Sequence, residues 1–241
     1  MIVDIFIPCF IDQFFPQTGL NMVKILRSLG CEVNYNPQQT CCGQPTYNAG
    51  FFDLARQLAQ KFLIDFPHEN RYIVCPSASC VGMIRNHYAH ILHTKEELTK
   101  YYPIQRNLFE FSEFLVDVLG VEKIENARLE GIATYHDSCS ALRECGIKYA
   151  PRKLLANIEG LTLIEMHESE VCCGFGGTFA VKFQAISVAM AEQKIDNASV
   201  TQADYLISTD YSCLMHLAGY IEKNRKKIQV MHLIDALAQS W

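Results

Sequence analysis

The sequence predicts an α/β fold built from two pseudo-symmetric repeats, each with a parallel sheet and each gathering cysteines at the carboxyl ends of its strands. Three observations support this prediction. Short apolar runs alternate with segments of helical spacing, and the cysteine pattern of the first half recurs in the second. A chain of 241 residues that is 49% hydrophobic can bury one large core or two smaller ones. The repeats are expected to cover residues 1–125 and 126–241.

The elements of the first repeat follow from its hydrophobic periodicity. A short apolar strand is expected over Ile2–Ile7, a helix over residues 20–29 and a second strand over Glu32–Tyr35. A further helix is expected over residues 54–62, and Tyr72–Val74 is typical of a third strand. The order strand, helix, strand, turn, helix, strand, helix predicts parallel α/β layers.

The two halves share a cysteine pattern. In each half an apolar run ends at a cysteine, Cys9 or Cys139, and a Cys-Cys-Gly motif follows after 31 residues in the first half and 32 in the second. Another strand-like run leads to a closing cysteine eight residues after its tyrosine. One position differs, because Ser208 stands where the first half has Cys75. The first copy also has a polar insertion around His90–Arg106, expected to be a surface helix or loop.

The repeated cysteines are the candidate metal ligands. Parallel sheets collect ligands beyond the carboxyl ends of their strands, and the cysteines fall at these points. They are Cys9, Cys41, Cys42, Cys75, Cys80, Cys139, Cys172, Cys173 and Cys213. Thiolates are soft ligands that select iron-sulfur clusters, zinc or Cu(I) over magnesium and calcium. The first half offers five thiols, one more than a tetrahedral zinc ion uses, which favours a cluster.

Composition and charge exclude other classes of protein. The net charge is −5 and the 21 basic residues are scattered, so the basic patch of a nucleic-acid binder is missing. The apolar N-terminal run is short, is interrupted by Asp4 and Pro8 and has no basic leader, so we expect neither a signal peptide nor a transmembrane segment. Eleven cysteines then indicate metal binding or redox chemistry in the cytoplasm, where thiols stay reduced.

The sequence resembles the CCG-domain (cysteine-rich domain) iron-sulfur proteins, a family that includes the CCG-domain subunit of heterodisulfide reductase and the glycolate oxidase iron-sulfur subunit. Among them it is most similar to the short members of the lactate utilization protein A group. The resemblance spans nearly the whole chain and rests on the two Cys-Cys-Gly motifs and the stretches Cys75–Cys80 and Cys172–Phe179. It implies a role in oxidising L-lactate to pyruvate with two partners, a ferredoxin-like iron-sulfur protein and a third subunit.

The resemblance also implies the cofactors. In the heterodisulfide reductase relatives the complete motif resembles a binding site for a non-cubane four-iron cluster, and its five positions correspond here to Cys9, Cys41, Cys42, Cys75 and Cys80. The second motif keeps four thiols, so that site could hold an ordinary [4Fe-4S] cluster or zinc, or could be vacant. A Ser208 or Asp210 oxygen could complete its ligand shell.

Three polar residues near Cys139 are weak catalytic candidates. His136 and Asp137 could act as a general base, could donate hydrogen bonds that tune a cluster, or could be structural. Arg143 could offset negative charge of a cluster or substrate, although a surface position is the commoner case. The other histidines show no paired ligand spacing and are expected to be solvated, among them His68, His87, His90 and His93.

The glycines that follow the two cysteine pairs are candidate cofactor-binding residues. Gly43 and Gly174 are expected to let the backbone turn tightly against a bound cluster. Gly174, Gly176 and Gly177 also resemble an anion-binding loop, although close backbone approach is the simpler account. Cys31 and Cys145 lie outside the repeated pattern and are interpreted as structural.

The leading functional hypothesis is an iron-sulfur oxidoreductase subunit that passes electrons drawn from a 2-hydroxy acid. The sequence has no flavin or nicotinamide fingerprint that would take a hydride. Two alternatives remain, a zinc-stabilised scaffold protein and a cluster-based thiol-disulfide reductase.

Overall fold

A computed structural model of the chain describes residues 1–67 and 70–239, so His68 lies outside the described residues. The chain divides into two compact units, Met1–Phe114 and Leu115–Trp241. The sequence places the repeat boundary slightly later, between residues 125 and 126, and that boundary stays a prediction. No helix within the described ranges is long and apolar enough to cross a membrane.

Four parallel strands form the sheet of the first unit. They are β1 (Ile2–Ile5), β2 (Glu32–Tyr35), β3 (Tyr72–Cys75) and β4 (Leu108–Glu110), in the order β2-β1-β3-β4. The helices of this unit are α1 (Cys9–Phe14), α2 (Pro16–Ser28), α3 (Gln44–Asn48), α4 (Phe52–Asp65), α5 (Ala78–Ile91), α6 (Lys95–Asn107) and α7 (Phe111–Glu113). A short π-helix, Phe114–Val118, follows α7.

The second unit repeats this arrangement. Its strands are β5 (Arg128–Tyr135), β6 (Glu159–Leu163), β7 (Tyr205–Ser208) and β8 (Gln229–His232), in the parallel order β6-β5-β7-β8. Its helices are a π-helix (Ser140–Glu144), α8 (Tyr149–Ala156), α9 (Thr178–Lys182), α10 (Gln184–Val200), α11 (Tyr211–Lys223) and α12 (Leu233–Leu237). The sequence-based prediction of an α/β fold with two parallel-sheet repeats is confirmed.

Several boundaries differ from the sequence-based expectation. The first strand ends at Ile5, and residues 9–14 form the separate short helix α1. Each sheet also has a fourth strand that the periodicity did not predict, because β4 has only three residues and β8 only four. These strands complete the edge of each sheet beside the strand that leads to the closing cysteine.

The polar insertion of the first copy is a packed helix. Thr94 and Glu97 form a capping box at the start of α6, with Thr94 Oγ1 accepting from Glu97 N at 3.1 Å and Glu97 Oε2 accepting from Thr94 N at 2.8 Å. The inner face of the helix buries Tyr101 and Ile104, and the Tyr101 hydroxyl donates to the Ile84 carbonyl at 2.8 Å. Its polar sequence therefore reflects one solvated face of a helix that belongs to the core.

Apolar helix faces cover both sheets. In the first unit the ring of Phe6, one residue beyond β1, packs against Phe62 at 5.0 Å and Phe66 at 5.8 Å between ring centroids. In the second unit α10 turns a fully buried face of Ala191, Ile195 and Ala198 toward the core. The loops that carry the cysteines are therefore anchored at both ends by closely packed strands and helices.

The last strand of each sheet ends in a buried side chain that caps the next helix. Glu110 is fully buried, and its Oε2 accepts hydrogen bonds from Ser112 N at 2.8 Å and Glu113 N at 3.3 Å. At the corresponding place in the second unit, His232 Nδ1 accepts from Ile234 N at 3.2 Å. Burial raises the pKa of Glu110 to about 8, so this carboxyl is protonated in the folded protein at neutral pH.

Glu110 makes the stability of the first unit depend on pH. In the unfolded chain its pKa is about 4.3, so between about pH 4.3 and 8 unfolding releases a proton, and stability falls by up to about 1.4 kcal/mol per pH unit. We expect urea titrations of the reduced, metal-free protein to show this loss from pH 5 to 8 in the wild type but not in Glu110→Gln. The exposed-strand variant Glu32→Gln is the control. Parallel pH profiles for the wild type and Glu110→Gln would contradict the assignment.

Candidate metal centres

The first cysteine cluster, defined as Cys9, Cys41, Cys42, Cys75 and Cys80, lies beyond the carboxyl ends of the strands. Cys75 is the last residue of β3, Cys80 lies in the first turn of α5, and Cys9 begins α1 after β1. Cys41 and Cys42 precede α3 on the loop that leaves β2. Cys42, Cys75 and Cys80 are buried, while Cys41 is half-buried and Cys9 is exposed.

Four of these thiols form a continuous chain of contacts. Cys42 Sγ lies 3.3 Å from Cys80 Sγ, and Cys41 accepts hydrogen bonds from the Cys42 and Cys9 thiols. These two bonds, with a third from Gly43 N at 3.4 Å, lower the pKa of Cys41 to about 3. Cys75 donates to the Ser77 carbonyl at 3.5 Å. One thiolate is therefore stabilised in the middle of the cluster, which is the ionisation state that metals require.

The second cysteine cluster, defined as Cys139, Cys172, Cys173 and Cys213, repeats this geometry. Hydrogen bonds from Cys139 and Cys173, and one from Gly174 N at 3.4 Å, lower the pKa of Cys172 to about 2. Cys213 is buried in the first turn of α11, and its contacts with the Cys173 thiol and the His136 imidazole lower its pKa to about 6. Both clusters therefore place a stabilised thiolate at the first cysteine of the Cys-Cys-Gly motif.

Gly43 and Gly174 hold the turns that aim these cysteines. Their φ angles are +83° and +96°, in the region that favours glycine. A Cβ at Gly174 would lie 2.6 Å from the Ser187 carbonyl oxygen, whereas a Cβ at Gly43 would meet nothing closer than 3.4 Å. Ser187 Oγ also donates to the Gly174 carbonyl at 2.7 Å. Position 174 is thus restricted to glycine both by its positive φ and by the close packing of Ser187, whereas position 43 is restricted by its φ alone.

The second unit differs from the first at two neighbouring strand ends. Phe6 N donates to the Val74 carbonyl at 3.0 Å and His136 N donates to the Ile207 carbonyl at 2.8 Å, so His136 occupies the place of Phe6. Ser208 occupies the place of Cys75, since each is the last residue of the third strand of its unit. Both changes are visible in the sequence, because Phe6 and His136 each lie three residues before the first cysteine of their repeat. Only the change from Cys75 to Ser208 was recognised from the sequence, and the change from Phe6 to His136 was missed.

Asp137 is held by an arginine that no sequence motif marks. Arg152 Nη1 and Nη2 donate to the two carboxylate oxygens of Asp137 at 2.8 and 2.7 Å, and Arg152 Nε donates to Glu165 at 2.6 Å. The Asp137 side chain is 0% exposed. This pairing gives Asp137 a structural partner on both oxygens, and its catalytic role stays a prediction, as does that of His136.

A fully buried cation also lies in this unit. Lys194 is 1% exposed on α10, and its Nζ donates to the Glu168 carbonyl at 2.5 Å and the Ser169 carbonyl at 3.2 Å. Burial lowers its pKa to about 8, against the opposing effect of nearby Cys173 and Asp137. Sequence reasoning missed Lys194, because the apolar residues of α10 are not confined to one face and only the structure shows that Ala191, Lys194 and Ala198 are buried together. Lys194 fixes the loop that leads into the second Cys-Cys-Gly motif.

The other candidates lie at the margins of the site. Arg143 is exposed, and its Nη2 donates to the Glu170 carbonyl at 3.4 Å. Gly176 and Gly177 have φ of +49° and +60° and precede the five-residue helix α9. Cys31 is buried and Cys145 is half-buried, and none of the eleven cysteines, all within the described residues, forms a disulfide. The roles of the loop glycines stay predictions.

The residues present fit an iron-sulfur group. Each cluster supplies at least four sulfur donors from one edge of a rigid sheet, and sulfur is the donor that iron-sulfur clusters take. Backbone N–H groups of Gly43 and Gly174 already point at cysteine sulfur, which is how proteins orient and tune such ligands. In the second unit the His136, Cys173 and Cys213 ligand atoms lie within 4.8 Å of one another.

Fold and site together define a duplicated parallel α/β protein that gathers thiols at its strand ends, a cysteine-rich protein of metal-binding type. The family model described as "Cysteine-rich domain" (CCG) matches residues 3–85 and 133–218. The chain is 40% identical over 237 residues to "Lactate utilization protein A" of Geobacillus sp. (strain WCH70), which covers 98% of this chain and 99% of that protein. It is 42% identical over 238 residues to "Lactate utilization protein A 1" of Bacillus cereus (strain AH820), with 98% of each covered. The chain therefore belongs to the CCG cysteine-rich domain family, in its lactate utilization protein A group.

A solved structure supports the fold. The crystal structure of a hypothetical protein from Helicobacter pylori superposes with a TM-score of 0.67 at 13% identity and covers 99% of this chain. The chain spans 48% of the length of that protein. At this identity the likeness concerns the fold alone.

Proposed function

We propose that this chain is the iron-sulfur redox subunit of an L-lactate oxidising system. The observation that carries the proposal is the pair of cysteine clusters, which lie at equivalent strand ends and each hold a stabilised thiolate. The names of the relatives, lactate utilization protein A, support lactate as the source of electrons. We place the protein in the cytoplasm, working with a ferredoxin-like iron-sulfur protein and a third subunit.

The chain's own residues have distinct parts in this function. Cys9, Cys41, Cys42, Cys75 and Cys80 would hold a four-iron cluster of non-cubane type in the first unit, and Cys139, Cys172, Cys173 and Cys213 would hold a [4Fe-4S] cluster in the second. Such clusters supply one-electron transfer. Gly43 and Gly174 orient a ligand sulfur through their N–H groups. Lys194 places buried positive charge near Cys173 and so offsets the negative charge of the thiolates.

Metal analysis of protein purified without oxygen tests the proposal. We expect iron and acid-labile sulfide at about four of each per occupied site, with a brown colour that bleaches when dithionite reduces the protein. Addition of L-lactate together with the partner proteins should bleach the same absorption. Zinc at about one per site without sulfide, persisting after anaerobic reconstitution with iron and sulfide, would overturn the redox function and favour a zinc-stabilised scaffold.

A further inference from the structure

His136, the residue directly after strand β5, has an imidazole ring that can still bind a metal ion. His136 is 0% exposed, and among the described residues neither ring nitrogen has a nitrogen or oxygen hydrogen-bond partner. The polar neighbour of the imidazole is the Cys213 sulfur, whose pKa it lowers. Buried imidazole nitrogens are normally satisfied, so a buried ring whose polar neighbours are the sulfurs of a candidate metal site is well placed to bind the same metal. At the corresponding place in the first unit, Phe6 needs none and packs among aromatic rings.

The imidazole faces the thiols of the second cluster. A ligand nitrogen of His136 and the sulfurs of Cys173 and Cys213 all lie within 4.8 Å of one another. All three side chains are buried, so they share a space closed to bulk water. Imidazole and thiolate together suit zinc and iron, and His replaces Cys as an iron ligand in some clusters.

The side-chain oxygens of Ser208 and Asp210, which the sequence suggests as further metal ligands, make hydrogen bonds within the protein. Ser208 Oγ donates to the His136 carbonyl at 2.9 Å, so its hydroxyl holds the backbone of the histidine. Asp210 Oδ2 accepts from Ser138 Oγ at 2.6 Å. The serine that replaces Cys75 thus supports the residue that replaces Phe6.

We propose that His136 is a metal ligand of the second site and that it makes up for the thiol lost at Ser208. The first unit then presents five sulfur donors, and the second presents four sulfurs and one imidazole nitrogen. The assignment rests on the proposed function, because it requires that the second cluster binds metal. It identifies the ligand shell of that site as mixed thiolate and imidazole.

Pulsed EPR on protein labelled with ¹⁵N-histidine tests the assignment without altering the site. The measurement uses a Cys41→Ser, Cys42→Ser background, so that only the second site is loaded. One sample is reconstituted with iron and sulfide and reduced, and another is loaded with Co²⁺ as a paramagnetic substitute for zinc. We expect a directly bound ¹⁵N coupling in whichever sample binds metal, and its loss in His136→Phe, with metal affinity at least about tenfold weaker.

His136→Phe introduces the residue that the first unit has at the same place, and His167→Gln, at an exposed position, is the matched control. The control should keep both the coupling and the affinity. Metal bound in the wild-type second site without a ¹⁵N coupling would overturn the ligand assignment and leave the proposed function intact. Failure of the second site to take up iron or cobalt at all would overturn both for this unit.

Discussion

Replacing both cysteines of the first motif, Cys41→Ser with Cys42→Ser, is expected to remove the iron and sulfide of the first site, about four of each per chain, while those of the second remain. Cys41 lies between Cys9 and Cys42 in the chain of thiol contacts, and Cys42 connects it to Cys80. The double substitution therefore removes the centre of the ligand set, and serine hydroxyls are poor ligands for the soft metal centres that thiolates bind. Iron, sulfide and zinc per chain, measured after anaerobic purification, give the result.

Two matched variants show whether the loss is specific. Cys172→Ser with Cys173→Ser should empty the second site and leave the first loaded. Cys145→Ser, outside both clusters, should keep the full metal content. Equal metal loss in the Cys145→Ser protein, or unchanged iron in the Cys41→Ser, Cys42→Ser protein, would contradict the assignment of the clusters.

Replacing Arg152 by methionine is expected to destabilise the second unit by about 3–5 kcal/mol. The substitution leaves Asp137 buried without its partner, and an uncompensated buried charge carries a penalty of this order. It also removes the contact of the guanidinium with the Tyr135 ring, whose centroid lies 4.9 Å away. Urea unfolding of the reduced, metal-free protein measures the difference in the free energy of unfolding.

A surface arginine of the same unit is the control. Arg128 pairs with Glu130 at 2.8 Å, but the two side chains are 59% and 67% exposed, so Arg128→Met should cost less than about 1 kcal/mol. Asp137→Ala combined with Arg152→Met should cost less than the sum of the two single changes, because it leaves no buried charge unpaired, while Glu165 is 47% exposed. If Arg152→Met proved as mild as Arg128→Met, the pair would have no structural importance.

Much of the fold was predictable because the strands and the cysteines recur in register. The spacing between Cys9 and the first Cys-Cys-Gly motif, and between Cys139 and the second, already places them on corresponding loops of two α/β units. The fourth strands escaped prediction, since runs of three or four residues such as β4 and β8 carry too little periodicity to stand out. The insertion was expected to be a surface helix or loop, whereas its buried Tyr101 and Ile104 depend on packing against α5.

Of the candidate site, the sequence predicted the cysteine ligands but not the residues that surround them. Cysteine identity and spacing reveal the candidate ligands, whereas the partners of Asp137 and the surroundings of His136 depend on residues distant in sequence. Arg152 lies on α8, beyond the π-helix that follows Cys139, and no local pattern connects it with Asp137. His136 became a ligand candidate only when the structure placed its imidazole beside the sulfurs of Cys173 and Cys213.

The closed packing around Gly174 gives the two copies of the Cys-Cys-Gly turn unequal mutational tolerance. Position 43 is limited by its backbone angle alone, so asparagine or aspartate, which accept positive φ more readily than other residues, fits there. Position 174 excludes even a methyl group, because a Cβ would overlap the Ser187 carbonyl and Met190. In a library of all substitutions at both positions, selection for the folded chain should retain several residues at 43 and glycine alone at 174.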